Sequence, residues 1–297
     1  MAPSATQTAM KGDVWSKKRA IRLAINASEW NPTETEWNKA MRCIQAEERE
    51  RIRRFRYQID AKASLVGRLL MQFWAQKTFV SQPIRFLRSD RGRPQLAIDR
   101  ENNWDFNVSH AGSYTVFVAQ QAVEGIGVDV MRLKDSRLDD SEAKKTEFFR
   151  IMRRQFTIDE WNQIGTSLPS FFRFWTLKEA YVKAMGTGLN FDLQRLSFNI
   201  KSPIQYDDGV MIIDSVLFVN GQLDNDWTFE ETLLGGDHWV STALKGFEGR
   251  DFDGTRKTFD ILNCQTLLQN LTEDCVDVVD PSDEWLNYQE KVAVKPF

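Results

Sequence analysis

The sequence predicts an α+β fold built from two similar halves. Alternation of polar and apolar residues forms a hairpin pattern twice, at residues 104–119 and 227–244. Helical patterning precedes each hairpin, and the lysine-containing segments 61–63 and 178–180 echo one another. Together these observations indicate a degenerate internal duplication of a unit of roughly 110–120 residues.

The first half is predicted to cover residues 21–123, after a flexible, weakly basic leader at 1–20. Asn31 and Pro32 break the chain, and Thr33 or Thr35 is a suitable cap for the helix that follows. The predicted elements, in order, are a strand at 21–25, helices at 35–43, 46–57 and 60–77, a strand at 84–88 and the hairpin at 104–119.

The second half is predicted to cover residues 124–247. Its elements, in order, are a strand at 126–130, helices around 144–165, a helix at 171–185, a strand at 194–200 and the hairpin at 227–244. Gly186 and Gly188 mark the end of the helix at 171–185. The remaining residues, 248–297, are interpreted as an acidic, partly ordered tail that wraps the body without chemistry of its own.

Composition narrows the class of protein. Hydrophobic residues make up 42% and charged residues 27% of the chain, as in ordinary soluble globular proteins. The first 20 residues contain no apolar core of a signal peptide, and no run of 18 apolar residues occurs. Three scattered cysteines and two histidines favour reduced thiols and argue against a zinc site. We therefore expect a cytoplasmic protein without a membrane segment.

The charges are unevenly distributed. Residues 42–93 hold 13 Lys and Arg against 5 Asp and Glu, whereas residues 251–297 hold 4 against 10. A basic block in a chain of net charge −3 indicates an anionic ligand more than general nucleic-acid affinity. RNA binding stays an alternative, although no aromatic-rich recognition strand is found.

The helix predicted at 171–185 has a broad apolar face that contains one lysine. Lys178 lies within this face, and Glu179 and Lys183 lie one turn apart at its edge. A buried ammonium needs an anion to replace its lost hydration. The alternative is that Glu179 and Lys183 form a surface pair while Lys178 extends its ammonium to solvent.

A second candidate is the carboxylate of Asp129 in the strand at 126–130. Alternation directs Ile126, Val128 and Val130 to one face, and Gly127 and Asp129 to the other face. A carboxylate in such a strand must be paired, bound to a metal, or close to the strand end. A turn-capping aspartate is the alternative.

Two sequence motifs identify a family. Trp175-x-x-Lys178-Glu179-Ala180-x-x-Lys183 resembles the W-x-x-K-E-[AS]-x-x-K signature of the 4′-phosphopantetheinyl transferases, and the strand containing Asp129 resembles their G-[IV]-D signature. Residues 30–245 are similar to the large eukaryotic class named for aminoadipate-semialdehyde dehydrogenase. The resemblance implies a pseudo-dimer with the active site between its halves, whose junction we expect near residues 123/124.

The resemblance also implies a set of site residues. Asp129 and Glu179 would bind Mg²⁺, and Lys183 would be a further catalytic residue. Many bacterial members carry another acid two positions after the strand aspartate, where this chain has Met131, so water would complete the metal's ligands. The residues implied for coenzyme A are Arg51, Arg88, Arg91, Arg93, Asn107, Ser109, His110, Lys178 and Lys183.

The implied reaction transfers the phosphopantetheine arm of coenzyme A to a carrier-protein serine and releases adenosine 3′,5′-bisphosphate. Glu179 is the candidate that accepts the serine proton. The implied partners are acyl carrier protein and the carrier domains of fatty acid synthase, aminoadipate-semialdehyde dehydrogenase or peptide synthetases, and we expect a monomer. A non-catalytic module that binds coenzyme A or carriers is the alternative, supported by Met131.

Overall fold

A computed structural model describes residues 19–79, 84–97, 103–134, 138, 141–188, 191–204, 206–247, 258–273 and 281–293. The predicted leader up to residue 18 lies outside the described residues, as do parts of the predicted tail. No helix in the described part of the chain is long and apolar enough to cross a bilayer.

The first half contains the elements β1 (Ala20–Asn26), α1 (Glu34–Arg42), α2 (Ala46–Arg53), α3 (Gln58–Thr78), β2 (Phe86–Arg88), β3 (Pro94–Leu96), β4 (Trp104–Ala111) and β5 (Tyr114–Gln121). Thr33 caps α1, because its side chain accepts from the backbone of Glu36 and the Glu36 side chain accepts in return from the backbone of Thr33. The predicted cap at Thr33 is confirmed. The helix predicted at 46–57 ends earlier, at Arg53.

The second half contains β6 (Gly125–Arg132), α4 (Glu142–Met152), α5 (Ile158–Ile164), α6 (Leu168–Met185), β7 (Leu196–Asn199), β8 (Val216–Val219), β9 (Gln222–Leu223), β10 (Trp227–Leu234) and β11 (His238–Lys245). The region predicted as helical at 144–165 is divided between α4 and α5. The helix α6 ends at Gly186, which has a left-handed backbone (φ 62°) that a residue without a side chain adopts at little cost.

The two halves repeat one sheet topology. In the first sheet, β5 lies between β1 and β4 and pairs antiparallel with both. In the second sheet, β11 lies in the same way between β6 and β10. Each half therefore places its first strand beside the second strand of its own hairpin. The predicted α+β pseudo-dimer is confirmed.

Three apolar cores pack the sheets and helices together. One core lies between the first sheet and its helices, and a second lies between the second sheet and α6. The third core joins the sheets and contains Val116 and Val118 of β5 together with Ile126, Val128 and Val130 of β6. The predicted alternation along β6 is thus confirmed, since its apolar face meets the other half.

The described part of the predicted tail completes the first half. Strand β12 (Asp260–Leu262) pairs in parallel with β1, and α7 (Cys264–Gln269) buries Cys264 and Leu267 in the first core. Helix α8 (Pro281–Gln289) contributes Glu284, whose carboxylate binds Arg53 at 2.8 Å. Strand β12 and helices α7 and α8 therefore pack against the first half.

The halves also meet along a polar seam between β4 and β6. Asp105 and Asn107 of β4 accept hydrogen bonds from the backbone amides of Ile126 and Val128. On its other side β6 lies directly under α6, because a Cβ atom at Gly127 would come within 2.0 Å of the Ala180 carbonyl oxygen. The strand that contains Asp129 is therefore fixed between β4 and α6.

Candidate active site

Asp129 lies where the two halves and α6 converge. Its side chain is almost fully buried, and its Oδ1 accepts hydrogen bonds from Ser109 Oγ at 2.8 Å and from Lys183 Nζ at 2.6 Å. Lys183 Nζ also donates to Ser109 Oγ at 2.8 Å. The structure therefore brings together three predicted site residues, from β4, β6 and α6.

Glu179 lies one helical turn before Lys183 and is half-buried. Burial and the negative charge of Asp129 raise the pKa of Glu179 above its usual range, although Lys183 opposes them. A neighbouring negative charge that raises the proton affinity of Glu179 also favours the binding of a cation beside it. Asp129 therefore lies within electrostatic reach of Glu179, and we call the surroundings of Asp129, Glu179 and Lys183 the cleft.

The donor set suits a hard divalent cation. Carboxylate oxygens are the ligands that Mg²⁺ takes, usually in small number and together with water or substrate phosphate. No group of three or more His, Cys, Asp or Glu residues that could hold a metal occurs within the described ranges. Met131 packs partly buried against the second core, so the strand supplies one carboxylate and α6 supplies the other.

Lys178 does not reach the cleft, and its predicted contact with coenzyme A is wrong. Its ammonium is completely buried, binds Glu160 at 2.7 Å, and donates to the backbone carbonyls of Gln155, Leu193 and Leu196 at 2.8–3.0 Å. Burial lowers the pKa of Lys178, while the charge of Glu160 opposes that shift. The anion expected from the sequence is therefore Glu160 on α5.

His110 follows Ser109 near the end of β4 and is exposed. Protein groups around the ring still desolvate it, and together with the charge of Lys183 they lower its pKa, whereas Asp60 opposes the shift. A neutral imidazole at pH 7 can donate one hydrogen bond and accept another. His110 therefore lies within the electrostatic reach of the Asp129–Lys183 pair.

Three of the predicted arginines form contacts within the first half or with the end of α6. Arg88 forms a two-pronged ion pair with Glu48, with both distances at 2.7 Å, and Arg51 Nε lies 3.8 Å from the same carboxylate. Arg91 donates to the carbonyl oxygen of Gly186 at 3.1 Å, at the end of α6. The basic turn of the first half thus contacts the helix that contains Glu179.

Arg93 and Asn107 form hydrogen bonds that connect the two halves. Arg93 binds both carboxylate oxygens of Asp105 at 2.7–2.8 Å and donates to the carbonyl oxygens of Ala184 and Ile126. The Oδ1 atom of Asn107 accepts from the backbone of β6. These contacts give Arg93 and the carbonyl group of Asn107 structural partners within the protein, and their binding of coenzyme A stays a prediction.

Sequence reasoning missed two charged residues of this region. Glu48 and Arg68 lie near Arg51 and Arg88, and the Arg68 side chain is almost fully buried. A signal for Arg68 was available, because it is the only charged residue between Ala63 and Ala75 of a largely small and apolar helical segment. Glu48 lay within a run of exposed-looking charges and gave no such signal.

Comparison with known proteins decides the family. A model of the N-terminal region of 4′-phosphopantetheinyl transferases matches residues 28–122, and a model of the 4′-phosphopantetheinyl transferase superfamily matches residues 125–243. The chain belongs to the 4′-phosphopantetheinyl transferase superfamily. The family predicted from the two motifs is confirmed.

Relatives of this superfamily cover most of the chain. The L-aminoadipate-semialdehyde dehydrogenase-phosphopantetheinyl transferase of Homo sapiens is 37% identical over 270 residues, which span 84% of this chain and 85% of the human protein. The protein of the same name in Xenopus laevis is 36% identical over 94% of each chain. The 4′-phosphopantetheinyl transferase of Bacillus subtilis is 28% identical over 60% of this chain and 74% of its own length.

Membership in this superfamily makes the chain a transferase whose family uses coenzyme A as substrate. The prediction of an enzyme is confirmed at this level. The cleft that contains Asp129, Glu179 and Lys183 is the candidate for its active site.

Proposed function

We propose that this chain transfers the 4′-phosphopantetheine arm of coenzyme A to a serine of a carrier domain and requires Mg²⁺. The observation that carries the proposal is the convergence of Asp129, Glu179 and Lys183 with Ser109 of the other half. Two carboxylates, a lysine and a hydroxyl in one cleft suit phosphoryl-group transfer, which depends on positioning and on charge stabilisation.

Asp129 and Glu179 are the residues that would hold the metal ion. When bound, Mg²⁺ would neutralise negative charge on the pyrophosphate of coenzyme A. Lys183 already binds Asp129 at 2.6 Å, so its ammonium lies close to where those phosphates would lie and can stabilise charge on them.

The transfer itself replaces one phosphorus–oxygen bond by another. The serine oxygen attacks the phosphorus that carries the pantetheine arm, and the bond from that phosphorus to the bridging oxygen breaks. Adenosine 3′,5′-bisphosphate leaves with the electron pair of the broken bond. Glu179 accepts the serine proton, and its raised pKa makes its carboxylate a stronger base than an ordinary glutamate.

The proposed partners are carrier domains. The relatives from Homo sapiens and Xenopus laevis are named for aminoadipate-semialdehyde dehydrogenase, and this makes its carrier domain the first candidate. Acyl carrier protein and the carrier domains of fatty acid synthase or peptide synthetases are further candidates. We propose that the enzyme works in the cytoplasm as a monomer, because each wall of its cleft comes from a different half of one chain.

The test is modification of an apo carrier domain followed by intact-mass spectrometry. With coenzyme A and Mg²⁺, the carrier should gain the mass of one phosphopantetheine group. Asp129→Asn and Glu179→Gln should each slow this gain by about 10²-fold or more. Glu147→Gln, in an exposed ion pair on α4, is the matched control and should keep the wild-type rate. Equal rates in all four proteins would refute the site.

A non-catalytic module that binds coenzyme A is the second candidate. Met131 at the position of a third acid favours it, because it leaves two protein carboxylates for a metal. The same assay separates the two candidates. A wild-type protein that binds coenzyme A but leaves the carrier mass unchanged with Mg²⁺ or Mn²⁺ would support the module and contradict the transferase.

A further inference from the structure

The turn between β4 and β5 follows directly on a residue of the cleft. Alternate side chains of β4 bind β6, and the last of them is Ser109, whose Oγ donates to Asp129 Oδ1 at 2.8 Å. After Ala111 the chain turns at Gly112 and Ser113 and enters β5. The attachment of this turn to the second half therefore bears on the position of Ser109.

A histidine of the second half binds the turn. His238 is the first residue of β11, and its Nε2 accepts a hydrogen bond from the backbone amide of Ser113 at 3.1 Å. The two segments lie close together, because a Cβ atom at Gly112 would come within 2.4 Å of the same nitrogen. The carbonyl oxygen of Ser113 accepts from the backbone amide of Ala27 in the first half. His238 thus connects a turn of the first half to the second half.

This hydrogen bond requires a neutral imidazole. A ring nitrogen that accepts a hydrogen bond carries no proton, so the proton of His238 lies on Nδ1, which faces Asp237 Oδ1 at 2.6 Å. The histidine is almost fully buried, and Tyr114 packs edge-on against its ring with 4.9 Å between the centroids. A protonated ring would direct an N–H donor from Nε2 at the N–H donor of Ser113, and the hydrogen bond would be lost.

Charged and titratable groups from neighbouring elements surround the imidazole. Burial lowers the pKa of His238 below its ordinary value of 6.5, Asp237 opposes that shift, and Arg132 of β6 reinforces it. Arg132 also binds Asp237 at 2.7 Å and so offsets part of its charge. Tyr114 of β5 stays neutral at pH 7, because burial and nearby acids, Glu29 first among them, raise its pKa. The imidazole is therefore neutral at pH 7 and becomes charged only as the pH falls below 6.5.

His238 lies beside the strand that contains Asp129, since it pairs with Arg132 of β6. We propose that His238 is a positioning residue, whose neutral imidazole fixes the β4–β5 turn to the second half and so holds Ser109 in the cleft, and whose protonation releases that turn. The effect on catalysis rests on the proposed function. Acidification then loosens the contact between the halves and slows carrier modification.

Amide hydrogen exchange, followed by NMR on the whole chain, tests the contact without turnover. The observable is the protection factor of the Ser113 amide between about pH 8 and about pH 5, the range in which histidine titrates. His238→Gln keeps an acceptor oxygen in place of Nε2 and does not titrate, so its protection factor should stay constant. The wild-type value should equal it at the upper pH and fall about tenfold at the lower pH, whereas His238→Leu should be about tenfold lower throughout.

Asp208→Ala is the matched control. Asp208 Oδ1 accepts from the backbone amide of Gly236 at 2.9 Å, in the β10–β11 turn that precedes His238. That hydrogen bond lies within the second half. The variant should therefore keep both the protection of Ser113 and its pH dependence.

The rate of carrier modification then tests the positioning role. Wild-type rates are divided by those of His238→Gln at the same pH, which cancels the titration of Glu179 and His110. The ratio should be close to one at about pH 8 and fall severalfold by about pH 5, and His238→Leu should be about tenfold slower than His238→Gln at either pH. Because His238→Gln keeps the acceptor, the comparison with wild type does not depend on whether His238→Leu folds.

Two results would overturn the proposal. One is a protection factor of Ser113 that falls equally with pH in wild type and His238→Gln. The other is a ratio of their modification rates that stays constant over the same range. Absence of turnover in every protein would contradict the proposed function, and exchange at Ser113 would still decide whether His238 holds the turn.

Discussion

The two halves have the same sheet topology and differ in the side chains that their sheets carry. When the hairpins are aligned on Trp104 and Trp227, which pair with Gln121 and Lys245, the residue of β1 that corresponds to Asp129 of β6 is Leu23. Leu23 is buried in the apolar core beneath α3, whereas Asp129 meets a lysine and a serine. One scaffold thus supports a packed core in one half and a polar cleft in the other.

The long helices show the same divergence. Each has a buried lysine that donates to backbone carbonyls: Lys62 to Trp30 at 2.8 Å, and Lys178 to three carbonyls as well as Glu160. Aligned on these lysines, α3 has Ala63 and Gly67 where α6 has Glu179 and Lys183. The comparison teaches that the lysines belong to the shared scaffold, while the cleft residues belong to one half only.

The largest expected effect comes from giving the second half a residue of the first half. Glu179→Ala introduces the residue found at position 63 and removes the candidate proton acceptor, so carrier modification should slow by about 10³-fold. The measurement is the initial rate from intact-mass spectrometry. Glu142→Ala, in an exposed ion pair on α4, should keep its rate. A rate for Glu179→Ala within tenfold of wild type would contradict the assignment.

The buried lysines predict a difference in stability. Lys178→Met leaves Glu160 charged, buried and unpaired, and should lower the free energy of unfolding by about 3–5 kcal/mol. Lys62→Met leaves one carbonyl without its donor and should cost about 1–3 kcal/mol. Urea denaturation measures both. Pairing Lys178→Met with Glu160→Gln removes the unpaired charge and should restore part of the loss, because the carbonyls of Gln155, Leu193 and Leu196 still lack their donor. A double variant no more stable than Lys178→Met would contradict this account.

Lys183 should compete with the metal ion for Asp129. Lys183→Met removes an ammonium bound to that carboxylate at 2.6 Å, so the protein without coenzyme A should bind Mn²⁺ about tenfold more tightly, which corresponds to about 1.4 kcal/mol. Electron paramagnetic resonance of free Mn²⁺ measures this affinity. Lys145→Met, which breaks an ion pair of a half-buried lysine with the exposed Glu142 on α4, is the control. An unchanged or weaker affinity would show that Lys183 does not compete.

The smallest expected effect concerns stability as a function of pH. Neutralising Glu179 and neutralising Glu48 should change the free energy of unfolding in opposite directions. Burial and Asp129 raise the pKa of Glu179, so its charge destabilises the metal-free fold, and Glu179→Gln should be more stable than wild type at pH 7. That difference should shrink as the pH falls through the raised pKa. The measurement is the free energy of unfolding of variant and wild type at several pH values.

Glu48 provides the matched comparison from the first half. Burial works to raise its pKa, but the hydrogen bonds from Arg88 and the charges of Arg68 and Arg51 hold the pKa below its ordinary value of 4.5. Glu48→Gln should therefore be less stable than wild type above pH 4.5, and this difference should disappear as the pH falls below that value. Changes of the same sign in the free energy of unfolding of Glu179→Gln and Glu48→Gln at pH 7 would contradict the pKa shifts of the two carboxylates.

Much of the fold followed from patterns that repeat along the chain. The alternation in β6 and the helical period of α6 correctly separated Asp129, Glu179 and Lys183 from the apolar faces beside them. The end of α2 was less predictable, because the charged residues after Arg53 continue a helix-like pattern. At this helix end the carbonyls of Arg53 and Phe55 accept hydrogen bonds from Lys291 Nζ of the tail, a contact that the local sequence does not predict.

The sequence by itself determined the duplicated fold and the family, and it separated the candidate carboxylates Asp129 and Glu179 from the apolar faces, because short-range periodicity decides which face of an element each side chain occupies. Tertiary structure alone decided the partners of the charges: Glu160 for Lys178, the seam for Arg93, and Glu48 for Arg68. Those partners lie 12 to 20 residues away in sequence, on other elements. A long charged side chain binds whichever acceptor the packed elements bring near, and no local pattern specifies that acceptor.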